Sequence, residues 1–351
     1  MLKPFTTDSP LQPQAPGWDD KLGFEYRELD AMWLACWTAG GGWEDGRLYE
    51  HHGARLALSP GANVLQYGQG IVEGLKAHRA HDGTVVLFRP TSHALRLRQS
   101  AAFLAMEAPS VQSCLQAVVQ VVRANLRWVP AYGKGSLYIR PMVAGSGPVL
   151  GVHPAEEYLF YVFPSPVGQY LGGDRLMVLS AAHRAAPYGI GPAKAAGNYA
   201  ASLRPQQAAQ RRGYSDALYL DAQENRYVEE LSGANFMVIL RDGTLVTPAL
   251  GSILPGITRD SLLRVAREVL GWLVVERKLS IEEVLSDAAE AFYVGTATVL
   301  APVSTINYEG VDHEIGDGKP GAGGKQLREV LIEIQRKERP DLWGWLMELS
   351  D

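Results

Sequence analysis

Cysteine is scarce. Cys36 and Cys114 are the two in 351 residues, far apart and in no Cys-x-x-Cys or Cys/His spacing. That excludes a zinc knuckle, an iron–sulfur cluster and a disulfide framework. A single disulfide stays open, with two buried thiols in a reducing compartment the expectation. There is no basic block, and the net charge is −5, so nothing draws the chain to nucleic acid or to an anionic membrane. No apolar run approaches the roughly 20 residues that a bilayer span needs. Residues 1–20 carry prolines and acids but no apolar core and no arginine-rich amphipathic pattern. They read as a loose arm of a cytoplasmic protein rather than a leader. No repeat is visible. Gly318 to Lys325 resembles a phosphate loop only superficially, because Gln326 stands where Ser or Thr is required. His78 and His81 lack a third ligand, His51-His52 reads as surface, and no metal is expected. Gly145-Ser146-Gly147 fails as a nucleophile elbow because position 144 is alanine.

What remains is an ordinary water-compatible composition, 46% hydrophobic and 20% charged, in a length that suggests two domains. The Pro- and Gly-rich stretch Pro164 to Asp174 is the best linker. The expected organisation is an arm over 1–20, an α/β domain over 21–165, a linker over 166–176 and a second domain over 177–351. Strands are expected within 22–50, at 75–80 and 84–88 around the Asp82-Gly83 turn, at 136–141, and at 158–163 ending at Pro164. Further strands are expected at 175–180, 217–220, 227–230, 235–240, 244–247 and 291–294. Helices are expected at 91–105, with Leu95, Leu97, Ala102 and Phe103 as its core, at 111–127, and at 198–212 across Pro205. Another runs from Thr258 as cap to Gly271, another follows the capping box Ser280…Glu283, and an amphipathic one closes the chain.

The stretch Gly189-Ile190-Gly191-Pro192-Ala193-Lys194-Ala195-Ala196-Gly197-Asn198-Tyr199 holds one lysine among small residues, with Asn198 a candidate helix start. A lysine kept dry loses its proton more readily and becomes a nucleophile toward carbonyls. Glu230 lies at a strand end; Glu229 is adjacent, and one of the two is expected to face outward. A buried Glu230 would need a cation or a protonated heterocyclic nitrogen. Gly256-Ile257-Thr258 opens a helix, whose free N–H groups and dipole attract phosphate. Gly295-Thr296-Ala297 offers a second pair of amides, and Arg96 a charged fork. An amine, an acid and a phosphate cup together are what pyridoxal phosphate requires. Along the strand at 136–141, Tyr138 and Arg140 share one side.

These motifs in this order resemble the branched-chain amino acid aminotransferases, fold type IV pyridoxal-phosphate enzymes, in their larger eukaryote-like subgroup. The quoted residues are Leu-Gln-Tyr67, Glu73-Gly74-Leu75-Lys76-Ala77, Leu87-Phe88-Arg89-Pro90, Ser136 to Pro141, Lys194 with Gly197-Asn198-Tyr199, Glu230 five before Asn235, Leu254 to Arg259, and Gly295-Thr296-Ala297. The resemblance implies an α+β fold of a smaller N-terminal α/β domain and a larger, pseudo-barrel-like C-terminal domain, with the active site at their interface. It implies that Lys194 holds the cofactor as a Schiff base and shuttles a proton. Glu230 would pair with the pyridine N–H and Tyr199 with the phenolic oxygen. Arg96, Ile257, Thr258 and Thr296 would hold the phosphate. Amino groups would pass from leucine, isoleucine or valine to 2-oxoglutarate in a ping-pong reaction. Tyr138, Arg140, Tyr170, Phe24, Val72, Thr296 and Ala297 would line the substrate pocket. Tyr67 would reach into the neighbouring subunit's pocket of a homodimer. Val72 departs from the family's usual phenylalanine and implies a roomier wall. Thr298 and Ala301 stand where animal members carry a redox Cys-x-x-Cys. The alternatives are a D-amino acid aminotransferase or a 4-amino-4-deoxychorismate lyase of the same fold, and a non-catalytic binder of phosphate ligands.

Overall fold

The computed structural model describes residues 2–168 and 172–349. The chain sorts into two compact units, one of 1–170, 193–197 and 334–351, the other of 171–192 and 198–333.

The first unit is built on a mixed-length antiparallel sheet. Its strands are β1 (Ala31–Thr38), β2 (Gly42–Trp43), β3 (Arg47–Glu50), β4 (Gly70–Val72), β5 (Leu75–Arg79), β6 (Val85–Phe88), β7 (Ser136–Gly145) and β8 (Glu157–Val167). A C-terminal strand, Leu346–Leu349, adds to β6. β7 is central, and its register explains Pro141. β5 pairs with Leu137–Ile139 and β4 with Met142–Ala144, so Pro141, which has no N–H, faces the break between them. There Glu73 donates its backbone N–H to the Pro141 carbonyl at 2.8 Å. The break thereby fixes Glu73 beside the sheet.

Three sequence expectations are corrected in this unit. β8 does not stop at Pro164 but runs through Pro164 and Pro166. β1 pairs only with its first half, Glu157–Val162, so the missing N–H groups leave no broken ladder. The helix α2 (Pro90–Phe103), following α1 (Asn63–Tyr67), buries Leu97 but exposes Leu95, Ala102 and Phe103. Its inward stripe is instead Pro90, His93, Ala94, Leu97 and Ala101 at helical spacing, joined by Arg96. It packs with α3 (Val111–Ala124), which Ser110 caps, over Leu75, Leu137, Ile139, Phe160 and Val162. The N-terminal stretch is not loose. Phe5 N–H bonds Leu48 O, Asp19 accepts from Ala131 N–H, and Trp18 meets Trp128 edge to face.

The second unit carries another sheet, of β9 (Arg175–Val178), β10 (Asp216–Leu220), β11 (Val228–Leu231), β12 (Asn235–Leu240), β13 (Leu245–Pro248), β14 (Val274–Arg277), β15 (Ala288–Gly295), β16 (Val299–Val303), β17 (Thr305–Tyr308) and β18 (Val311–Glu314). Its core holds Leu176, Leu218, Phe236, Val238, Val246 and Ile306. The helix α4 (Ala196–Gln210) contains Pro205 and starts before Asn198. Asn198 therefore does not start the helix; its Nδ2 donates to Ile190 O at 2.9 Å and ties down the preceding loop. α5 (Ile257–Arg264) begins after Gly256 rather than at Thr258 and continues into a π turn, Val265–Val269. α6 (Ile281–Asp287) has the expected cap, Ser280 Oγ accepting from Glu283 N–H at 3.1 Å. α7 (Ala322–Gln335) does not close the chain. The Leu346–Leu349 strand follows it and pairs in the first sheet, whereas the expected boundary placed 334–351 with the second domain.

Candidate functional site

Lys194 lies in the short segment that groups with the first unit. Its N–H donates to Ser100 Oγ at 2.9 Å, its carbonyl accepts from Val72 N–H at 3.0 Å, and Ala195 bridges Ile71. The lysine backbone is thus laid against β4 and held from α2. Its side chain is half-buried. Just past the end of β4 stands Glu73, buried and given no role from the sequence. Arg96 donates to it as a fork, Nε at 2.6 Å and Nη2 at 2.9 Å, and His93 Nδ1 lies 2.7 Å away. Burial pushes the Glu73 carboxyl up, but the Arg96 and His93 charges and hydrogen bonds outweigh it and hold it far below the usual range. Burial likewise keeps His93 below its ordinary value despite Glu73. The sequence signal for this cluster was only the i, i+3 spacing of His93 and Arg96.

A cavity of about 400 Å³ opens in the same unit. Phe24, Val72, Tyr138 and Arg140 line it, four of the expected substrate residues, together with Tyr26, Met142, Tyr161 and Phe163. Arg140 Nη2 donates to Tyr138 Oη at 3.1 Å and Phe24 meets the Tyr138 ring edge to face. A Cβ at Gly74 would sit 1.9 Å from that hydroxyl, so the glycine makes room for it. Tyr67 does not line this cavity; it is half-exposed and donates to Leu150 O. Tyr170 lies outside the described residues.

In the second unit Glu230 is the penultimate residue of β11, buried. Asn235 Nδ2 donates to its Oε2 at 3.1 Å and Leu254 N–H to its Oε1 at 3.3 Å. Arg184 Nη1 stands 3.2 Å from Oε1, itself buried, with its guanidinium 5.7 Å from the Tyr199 ring centroid. Glu229 is a correction. All of β11 is buried, so neither glutamate faces outward. Ser252 Oγ bonds Glu229 Oε1, Oε2 has no partner among the described residues, and burial pushes this carboxyl above its usual range. The structure forms both turns that the sequence singled out, one ahead of α5 and one after β15. Gly256 heads α5 in extended conformation with no side-chain cap, so the positive end of the helix dipole lies at Ile257 and Thr258. A Cβ there would lie 1.9 Å from Asn235 Oδ1. Gly295 ends β15, which packs on α5, and Thr296, Ala297 and Thr298 make the turn into β16. Val299, β-branched, holds a positive φ of 66° at the end of that turn, strain of the kind stored at ligand-binding turns.

The amino-transferase class IV family matches residues 70–306. The chloroplastic branched-chain amino acid aminotransferase 2 of Humulus lupulus is 45% identical over 336 residues, which cover 94% of this chain and 81% of that protein. The chain belongs to the class IV aminotransferases. Another relative, the branched-chain-amino-acid aminotransferase of Helicobacter pylori, is 41% identical over 94% of this chain and 97% of its own. The crystal structure of the Escherichia coli branched-chain amino acid aminotransferase superposes with a TM-score of 0.79 at 30% identity, covering 92% of this chain and all of that one. That of the Thermobaculum terrenum branched-chain amino acid aminotransferase, in its PLP-bound holo form, gives 0.77 at 26% identity, over 93% of this chain and all of that one. As a class IV aminotransferase the chain has the two-domain type IV fold and uses pyridoxal phosphate. Its residues fit that cofactor. Arg184 Nε and Nη1 are buried with no hydrogen-bond acceptor among the described residues. No side chain caps the α5 terminus, and Glu230 offers a buried acid oriented by Asn235 and the Leu254 amide. Among the described residues no group of His, Cys, Asp and Glu could hold a metal, and no helix is long and apolar enough to cross a membrane. The two thiols are free, and burial holds Cys36 at about 11 and Cys114 at about 12, too high for reactive thiolates.

Proposed function

We infer that the chain is a branched-chain amino acid aminotransferase, passing amino groups between L-leucine, L-isoleucine or L-valine and 2-oxoglutarate. The observation that carries this is the cavity in which Arg140 and Tyr138 face apolar Val72, Phe24, Met142 and Phe163. One wall suits a branched aliphatic side chain, the other the distal carboxylate of glutamate. When bound, pyridoxal phosphate supplies a carbonyl for the amino group and a ring that takes up the electron pair at the α-carbon. Lys194 Nζ would hold the cofactor covalently and would move the proton at the substrate α-carbon. The Glu230 carboxylate holds a proton on the ring nitrogen, with Asn235 and Arg184 fixing its orientation. Tyr199 serves the phenolic oxygen. The amides of Ile257, Thr258 and Thr296, with Arg96 aligned by Glu73, serve the phosphate.

The chain acts as a homodimer in the cytoplasm, Tyr67 reaching the neighbouring pocket. Supporting this, Tyr67 holds the loop that exposes Leu150 and Val152, at 94% and 88%, an apolar patch that pairing of two copies would cover. The reading is tested by leucine turnover with 2-oxoglutarate, against D-alanine as control, and by borohydride reduction of the purified protein. A mass label on Lys194 is expected; a colourless, unlabelled protein without leucine turnover would sink it. Val72→Phe should shift relative rates away from methionine and phenylalanine toward valine, read as kcat/KM ratios; unchanged ratios would remove Val72 as the cause of a roomier wall.

A further inference from the structure

Tyr26 lines the Arg140 cavity from a segment that is fastened on both sides of it. Ser165 Oγ accepts from Arg27 N–H at 3.0 Å and donates to Glu25 O at 2.8 Å. The ring is set edge to face against Phe163, centroids 5.5 Å apart, and its hydroxyl lies 3.1 Å from Nε2 of His51. His51 is 2% exposed, which corrects the expectation that it sits on the surface. Burial is the first cause that lowers its pKa to about 4, so it is neutral at working pH. Its tautomer is fixed by the chain. Leu29 N–H donates to Nδ1 at 3.0 Å, so Nδ1 carries no proton and Nε2 does. Nε2–H then donates to Tyr26 Oη, and the tyrosine's own proton must point to another acceptor. No acceptor for it is found among the described residues, and Tyr26, which lines the cavity, is 60% exposed.

We propose that Tyr26 is a specificity-determining residue, its hydroxyl donating to the distal carboxylate of the dicarboxylate substrate, with buried His51 as its positioning residue. The proposal rests on the transaminase reading of this cavity and deepens it. A carboxylate takes up to about four hydrogen bonds. Arg140 supplies charge, but one of its N–H groups is already turned to Tyr138. Glu25 also lines the cavity and opposes an anion, so a second, neutral donor matters there. A branched aliphatic side chain has nothing to accept this proton, so the hydroxyl separates the two substrates of a ping-pong cycle rather than helping both.

The test uses the holoenzyme and measures the two half-reactions separately, one with L-leucine and one with L-glutamate. Tyr26→Phe keeps the ring and removes only the hydroxyl. It is expected to lower the glutamate kcat/KM about tenfold, through KM, and to leave leucine within about twofold, as loss of one hydrogen bond to a charged group predicts. Equal losses with both donors, or no loss with either, would overturn the role of Tyr26. His51→Gln is expected to weaken glutamate selectively in the native background and to add nothing in the Tyr26→Phe background; additive losses would overturn its positioning role. Should His51→Gln fail to fold, Tyr26→Phe alone decides the proposal. No turnover of either donor by the unaltered holoenzyme would instead sink the transaminase reading, and this inference with it.

Discussion

Each unit buries a carboxylate beside an arginine, and the two are finished differently. Glu73 receives both arms of Arg96 and a histidine nitrogen, three contacts within 2.9 Å. Glu230 takes an asparagine and a backbone amide, while Arg184 approaches at 3.2 Å with two of its buried nitrogens lacking an acceptor among the described residues. A buried carboxylate met this completely is a positioning group: it holds β4, α2, the Arg96 guanidinium and the Lys194 backbone in one arrangement. A buried pair with unmet donors is a site built for something that is not protein. The same residue types therefore mean different things, and hydrogen-bond completeness tells them apart.

That contrast can be broken by exchanging one carboxylate at a time. Glu73→Gln leaves Arg96 buried beside a neutral amide. It should cost about 3–5 kcal/mol of stability, measured by denaturant unfolding of the cofactor-free chain. Its acid dependence has a sign. The net lowering of the Glu73 pKa means its contribution is present above the ordinary carboxylate pKa and lost as pH falls below it. The variant's unfolding should therefore be less pH-sensitive on the acid side. Glu230→Gln should do the reverse. Turnover should drop about 10²–10³-fold, the scale of losing one key electrostatic group, with a smaller stability change than at Glu73. Equal stability losses at both positions would erase the distinction. The mildest expected effect is at Glu229. Its raised pKa makes it a cost that grows as pH rises from the usual carboxylate range, so Glu229→Gln should raise the melting temperature at pH 7 and lose that gain in acid. A lower melting temperature at pH 7 would mean that the Ser252 contact outweighs burial.

Lys194, Glu230, Gly256 and Gly295 stand out in the sequence because each sits where chain punctuation and chemistry coincide: a small-residue loop, the end region of a strand, a helix start, a tight turn. Tyr138 and Arg140 followed from strand alternation alone, and the structure places both on the cavity. The partners were not legible. Glu73 meets His93 and Arg96 across a strand–helix contact that leaves no local pattern, and Arg184 sits in Ala-His-Arg-Ala with no periodicity to flag it. Composition misled on α2. Leu95 and Phe103 looked like core by residue type, yet the helix turned its polar His93 and Arg96 inward because Glu73 was there to meet them. Pro164 and Pro166 misled in the same way, since a proline ends a strand only where a neighbour needs its N–H.

The pairing of Leu346–Leu349 with β6 also bears on how the chain is made. The first sheet takes its outer edge from residues translated after the whole second unit, so a nascent chain cannot finish what it starts. A ribosome-stalled chain ending at residue 340 should show protease resistance in the later-made unit while the earlier-made one stays open. If the early unit were already resistant, the edge strand would be ornament to its folding instead of its last step.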